Sequence, residues 1–152
     1  MATRKIITSE DQFLRKKSKM VVKFDEDLAI LLDDMKQTLY ANNGMGLAAP
    51  QIGVLKRCVV MDVNNCYFEL VNPQIVKSSG KKVLAEGCLS FPNRSESVER
   101  PQKVTVCAFD RLGNQIEITG VEYLARCICH EIDHLNGILF VDYVNNKRGE
   151  KN

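Results

Sequence analysis

The chain has 152 residues, of which 45% are hydrophobic and 26% charged, and carries a formal net charge of +2. That length suits one domain, spanning residues 1–152, able to bury about two-thirds of its unfolded surface in a single core. The small charge gives no footprint for specific nucleic-acid binding, and no apolar run reaches the roughly 18 residues of a membrane span.

The opening MATRKIITSEDQFLRKK lacks the apolar centre of a secretory signal, so a cytoplasmic location is expected. Its basic cluster, Arg15, Lys16, Lys17 and Lys19, reads as a solvated face. Ser9 to Gln12 fits a capping box and predicts a short helix through Phe13 and Leu14. Asp25 is placed to cap a longer helix. Leu28, Leu31, Leu32, Met35 and Leu39 form its apolar stripe, and Asn42-Asn43-Gly44 ends it.

From residue 54 the texture turns to strands: LKRCVVMDV, CYFELVNP, QIVKSSGKKVLAEG and KVTVCAF, with DRLGNQ as a hairpin turn before IEITG. Cys58, Cys66, Cys88, Cys107, Cys127 and Cys129 fall mostly inside apolar segments, which suits reduced, buried thiols. Thr119 to Glu122 resembles a capping box opening a helix to about Asn136, with Gly137 at C′. Leu124, Cys127, Ile128, Cys129, Ile132 and Leu135 make this helix apolar on more than one side, so sheet should cover two of its faces. The expected fold is α+β: antiparallel β-sheets packed around a central buried C-terminal helix, plus N-terminal helices.

The buried helix carries both histidines of the chain, in His130-Glu131-Ile132-Asp133-His134. Residues i and i+4 lie one above the other on a helix, so the two imidazoles can share one metal ion while Glu131 handles a proton. A catalytic metal usually takes three protein ligands and keeps one position open. The extended zinc-peptidase pattern HExxHxxGxxH is broken by Phe140, and no downstream residue offers itself as a ligand. An upstream cysteine or carboxylate must serve. Cys88, where a strand gives way to a loop, is the first candidate; Cys127, three residues before His130, is the rival. A closed structural zinc site would need a fourth protein ligand and no Glu131.

Three segments together resemble the signature motifs of peptide deformylases in order and spacing: Gly44-Met45-Gly46-Leu47-Ala48-Ala49-Pro50-Gln51-Ile52-Gly53, Glu86-Gly87-Cys88-Leu89-Ser90 and His130-Glu131-Ile132-Asp133-His134. The likeness runs over residues 5 to 143. It implies a metal-dependent hydrolase that removes the N-formyl group from the formyl-methionine of newly made polypeptides and releases formate. Cys88, His130 and His134 would hold one divalent ion with water as the fourth ligand. Fe(II) is the implied native metal, with Zn(II), Ni(II) or Co(II) able to substitute. Gln51 and the backbone N–H of Leu89 would face the formyl oxygen. Gly46, Met45, Gly87, Tyr123 and Cys127 would contact the substrate, with Arg126 near its methionine pocket. The implied partners are N-formylmethionyl nascent chains, with a transient ribosome contact, no membrane and no specific nucleic acid. Nine residues follow Tyr143, so a long C-terminal helix for docking on the ribosome is not expected.

The chemistry also follows from the residue types. A divalent ion lowers the pKa of bound water to roughly 7, and Glu131 can take its proton and deliver it to the leaving amine. A pre-aimed donor on the developing oxyanion contributes roughly 3 kcal/mol, and the Gln51 amide donates without a proton to lose. Asp133 points away from the metal by spacing and suits a hydrogen bond to a ligand histidine. Arg100 is either the partner of a buried carboxylate or a surface cation.

Overall fold

The computed structural model describes residues 2–9 and 11–144. After a 3₁₀ turn at Gln12–Arg15 come α1 (Glu26–Ala41), β1 (Gly46–Ala48), a second 3₁₀ turn at Ala49–Ile52, β2 (Cys58–Val63) and β3 (Cys66–Ser79). They are followed by β4 (Lys82–Cys88), β5 (Phe91–Arg100), β6 (Lys103–Phe109), β7 (Gln115–Val121) and α2 (Tyr123–Leu135). Residues 140–144 add a further helical turn. β1-β2-β3-β6-β7 form one sheet and β4-β5 another, with every pairing antiparallel.

The two-residue period of a strand decides which helix lies on which face. Along β2, Val59, Met61 and Val63 turn to a core with Ile128, Ile132 and Leu135 of α2. Cys58 and Val60, in alternate register, turn to the opposite core with Leu28, Leu32, Met35 and Leu39 of α1. The larger sheet therefore lies between the two helices. A third cluster joins Phe91 and Val98 of β5 to Leu14, Leu139 and Phe140. Ten of the 13 residues of α2 are buried, because the sheet covers one side of it and the β4-β5 hairpin the other. This is the α+β arrangement expected. No helix among the described residues is long and apolar enough to cross a membrane.

Asp25 caps α1, its side chain accepting from the N–H of Leu28. The helix closes in a Schellman motif, with Asn43 left-handed at φ 54° and the N–H of Gly44 reaching the Leu39 carbonyl at 3.0 Å. α2 ends the same way: Gly137 has φ 72° and the N–H of Ile138 bonds the Asp133 carbonyl at 2.9 Å.

Several local expectations are corrected. Asp11, rather than Ser9, caps the first turn, which is 3₁₀. Thr119 does not open α2; it belongs to β7, where its hydroxyl meets that of Thr105 across the strands at 2.9 Å. Glu122 precedes the helix without a capping hydrogen bond, and its carboxylate bonds Lys82 and Gln102 instead. Cys88 does end a strand, as expected, but the loop after it is only the turn Leu89–Ser90 before the ten-residue β5, and CYFELVNP runs into QIVKSS as one strand with register shifts at Val71/Gln74 and Ile75/Lys77. The tail with Glu150 lies outside the described residues.

Candidate metal centre

Cys88 ends β4, where the register with β5 shifts, and α2 presents His130 and His134 from consecutive turns. One donor atom from each of these three residues lies within 4.8 Å of the other two. The Cys88 sulfur is 3.3 Å from His134 Nε2. Metal–sulfur and metal–nitrogen bonds of about 2.3 and 2.1 Å at a tetrahedral angle would set such donors about 3.5 Å apart, so the pair fits a shared ion. The donor types fit as well: one thiol and two imidazoles suit Fe(II) or Zn(II) better than an oxygen-loving cation. Burial and the neighbouring His130 hold His134 well below the usual imidazole range, in the neutral form that ligates. Cys127, the rival thiol, is outside this group; its sulfur lies 3.7 Å from the Met45 carbonyl oxygen, and burial pushes its pKa up.

His130 is oriented from behind. Its Nδ1 lies 2.5 Å from Glu86 Oε2, which leaves Nε2 as the nitrogen available to an ion. Burial favours a protonated Glu86, but Arg100 and His130 outweigh that and hold the carboxyl well below its ordinary range. Burial likewise opposes charge on His130, and Glu131, Cys88 and Glu86 overcome it, raising the ring to about 10, so an ion at Nε2 would bind by displacing the proton held there. Arg100 grips Glu86 through Nε at 2.9 Å and Nη2 at 2.6 Å, and Arg126 adds a third contact at 2.9 Å. Arg100 is thus a buried partner of a carboxylate, not a surface cation. Asp133 bonds Arg100 and Tyr143 rather than either histidine. The carboxylate on the ligand ring is Glu86, which lies 44 residues from His130 and carries no local signal of that role.

Glu131 is 3% exposed, its Oε1 has no hydrogen-bond partner among the described residues, and burial raises its pKa to about 7. Gly46 passes beside it: a Cβ at that position would lie 2.5 Å from Glu131 Oε2 and 2.8 Å from the Cys127 sulfur. Gln51 is also buried; its oxygen accepts from the N–H of Ala48 at 2.9 Å, and its Nε2 lies 3.0 Å from Ser90 Oγ and 3.7 Å from the Cys88 sulfur. The carboxamide therefore flanks the thiol. Ser90, its fixed partner, carries no sequence signal beyond its place in the Glu86–Ser90 segment.

A cavity of about 680 Å³ opens onto these groups, lined among others by Met45, Gly46, Gly87, Leu89, Tyr123 and Cys127. Every residue expected to touch substrate lines it except Gln51, which is set behind Cys88. Arg126 also lines the cavity, yet its guanidinium is tied to Glu86 and to the Val98 and Lys82 carbonyls.

A family model described as polypeptide deformylase matches residues 3–150. The peptide deformylase of Caldicellulosiruptor bescii is 61% identical over 144 residues, covering 95% of this chain and 87% of that relative. The crystal structure of a peptide deformylase from Legionella pneumophila superposes with a TM-score of 0.91 at 51% identity, covering 93% of this chain and 86% of the other. That of Ehrlichia chaffeensis peptide deformylase in complex with actinonin gives 0.92 at 42% identity, covering 94% and 89%. With a cysteine and two histidines gathered beside a buried glutamate, and with likeness of this extent, the chain belongs to the polypeptide deformylase family.

Proposed function

We propose that Cys88, His130 and His134 hold one divalent ion and that Glu131 carries the proton of the reaction. The reaction itself is the family's: metal-dependent hydrolysis of the N-formyl group from formyl-methionyl N-termini, with release of formate. The observation carrying the assignment is the meeting of one thiol and two imidazoles within 4.8 Å, beside a buried Glu131 Oε1 that has no partner.

When bound, the ion supplies Lewis-acid activation of water and of the formyl oxygen. Glu131 accepts the water's proton at Oε1, and its pKa of about 7 suits transfer in both directions near neutral pH. It then returns that proton to the departing amine nitrogen. Gln51 Nε2 spends one N–H on Ser90 Oγ from its place behind Cys88; its second N–H, on the Cys88 side, and the backbone N–H of Leu89 are the donors available to the oxygen on which charge develops. Gly46 and Gly87 let the peptide backbone approach, while Met45, Tyr123 and the neutral Cys127 thiol wall the pocket for the methionine side chain.

Fe(II) is the native ion in this reading, with Zn(II), Ni(II) and Co(II) as functional substitutes. Support comes from the thiolate and imidazole donors, which suit all four. We treat residues 1–152 as one catalytic domain, acting in the cytoplasm on emerging nascent chains through a transient ribosome contact. Formate release from formyl-Met peptides by protein loaded anaerobically with iron tests the function. A thiolate beside Fe(II) is open to oxidation, so the iron form should lose activity in air faster than the nickel form. Full anaerobic loading with no formate released would overturn the reading.

A further inference from the structure

Two side chains of the C-terminal turn at residues 140–144 reach the His130 environment by separate routes. The Phe140 ring packs against the imidazole, with centroids 5.9 Å apart at 45°. The Tyr143 hydroxyl donates to Asp133 Oδ2 at 2.5 Å. Asp133 Oδ2 also accepts from Arg100 Nη1 at 2.7 Å, and Arg100 holds both oxygens of Glu86, whose Oε2 meets His130 Nδ1 at 2.5 Å. A continuous line of charge-assisted hydrogen bonds thus runs from Tyr143 to the imidazole.

Guanidinium geometry makes this line mechanically coupled. The group is planar and its donors are fixed relative to one another. One edge of Arg100, Nε and Nη2, grips Glu86 while the remaining nitrogen, Nη1, grips Asp133, so tilting the plane at Asp133 moves the edge at Glu86. The Tyr143 ring sits against the same guanidinium, 4.7 Å from the Arg100 Cζ. Arg100 is 3% exposed, so bulk solvent has little access to its donors. Losing the Tyr143 hydroxyl leaves Asp133 Oδ2 with Arg100 alone and frees the pair to shift together.

We propose that Tyr143 and Asp133 are positioning residues for the His130 ligand, setting the orientation of its imidazole toward the ion through Arg100 and Glu86. The inference rests on the ligand assignment proposed above. It makes the turn after α2 part of the metal centre, although neither residue touches the ion or the substrate.

The full chain loaded with cobalt(II) tests it through two readouts besides activity, the visible absorption spectrum and the rate of cobalt release to excess EDTA. Tyr143→Phe keeps the ring over Arg100 and removes only the hydroxyl; Asp133→Asn keeps the shape and removes the charge. Both should shift the visible bands and accelerate release, by roughly 3–10-fold for Tyr143→Phe, below the roughly 10–100-fold typical of losing a direct partner of a ligand. Tyr40→Phe removes a comparable Tyr–Asp bond (2.6 Å to Asp62) on the far helix and should match wild type in both readouts. Wild-type spectra and release rates in both Tyr143→Phe and Asp133→Asn, whatever happens to their melting temperatures, would overturn the proposal. Should Tyr143→Phe not fold, Asp133→Asn decides on the same measurements. Failure of the ligand assignment looks different: His130→Ala would then bind cobalt as wild type does.

Discussion

Glu131 and Gly46 are mutually dependent. The carboxylate occupies the space that a side chain at position 46 would take, so this glycine answers to a close approach rather than to a turn. Glu131→Gln keeps that shape and leaves Cys88, His130 and His134 untouched, but it replaces a proton acceptor with an amide. The variant should bind one ion per chain and lose roughly 10²–10⁴-fold in kcat. Metal analysis and formate release on the same sample check both halves; near-wild-type turnover would remove Glu131 from its role. The two candidate thiols separate as cleanly. Cys88→Ala should lose the ion on gel filtration, because two histidines remain of three donors. Cys127→Ala, outside the donor group, should retain it. Full metal content in Cys88→Ala would reverse the assignment.

The elements place these side chains by their ends. Both helices close in Schellman motifs: the first sends the chain past Asn43 into β1 and Gly46, and the second turns it at Gly137 toward Phe140 and Tyr143. Gly137 has φ 72°, and a Cβ there would collide with the Arg15 carbonyl, which belongs to the backbone and has little freedom to yield. Gly137→Ala should therefore cost about 2–4 kcal/mol. For a chain of this size that lowers Tm by roughly 6–13 °C in a thermal melt; an unchanged Tm would mean that this turn does not anchor the C-terminal segment. The pattern that made α1 and α2 legible was strong, an apolar stripe with a true cap in one case and a buried histidine motif in the other. β5 was not legible, since FPNRSESVER buries only Phe91, Val98 and Arg100 and shows no sustained alternation. Thr119 misled because capping chemistry and strand propensity coincide in threonine, and pairing with β6 decided between them. The histidine pair was legible from motif spacing, whereas Cys88 and Cys127 stayed rivals there until the family resemblance favoured Cys88. The Glu86–Arg100–Asp133 support was not legible, because tertiary pairing alone brings those residues together.

At the scale of the whole molecule, α2 lies between the five-stranded sheet and the β4-β5 hairpin, and the cavity opens along its hairpin side. β1 forms one wall through Gly46, the end of β4 another through Gly87 and Cys88, and the helix the floor through Cys127, His130 and Glu131. Three separate elements thus line the cavity, and beside Gly46 the backbone packs directly against the Glu131 and Cys127 side chains. A formyl carbon carries only hydrogen, and the Gly46 backbone lies so close to Glu131 that a Cβ at that position would come within 2.5 Å of its carboxylate. With the formyl group placed between the proposed ion and Gly46, an acetyl methyl would have to displace such packed atoms or shift the carbonyl away from its donors. A displacement of about 1 Å can cost on the order of a hundredfold in rate, so formyl-Met peptides should exceed acetyl-Met peptides in kcat/KM by at least that factor. In the proposed binding mode the first side chain would meet Met45, Tyr123 and the neutral Cys127 thiol, which line the cavity. Formyl-Asp peptides would bring an unpaired carboxylate against that wall, and their kcat/KM should fall nearly to background. Assaying formyl-Met, acetyl-Met and formyl-Asp peptides side by side on one metal-loaded preparation separates the two effects. Equal rates on all three would mean that neither the backbone wall nor the apolar pocket selects substrate.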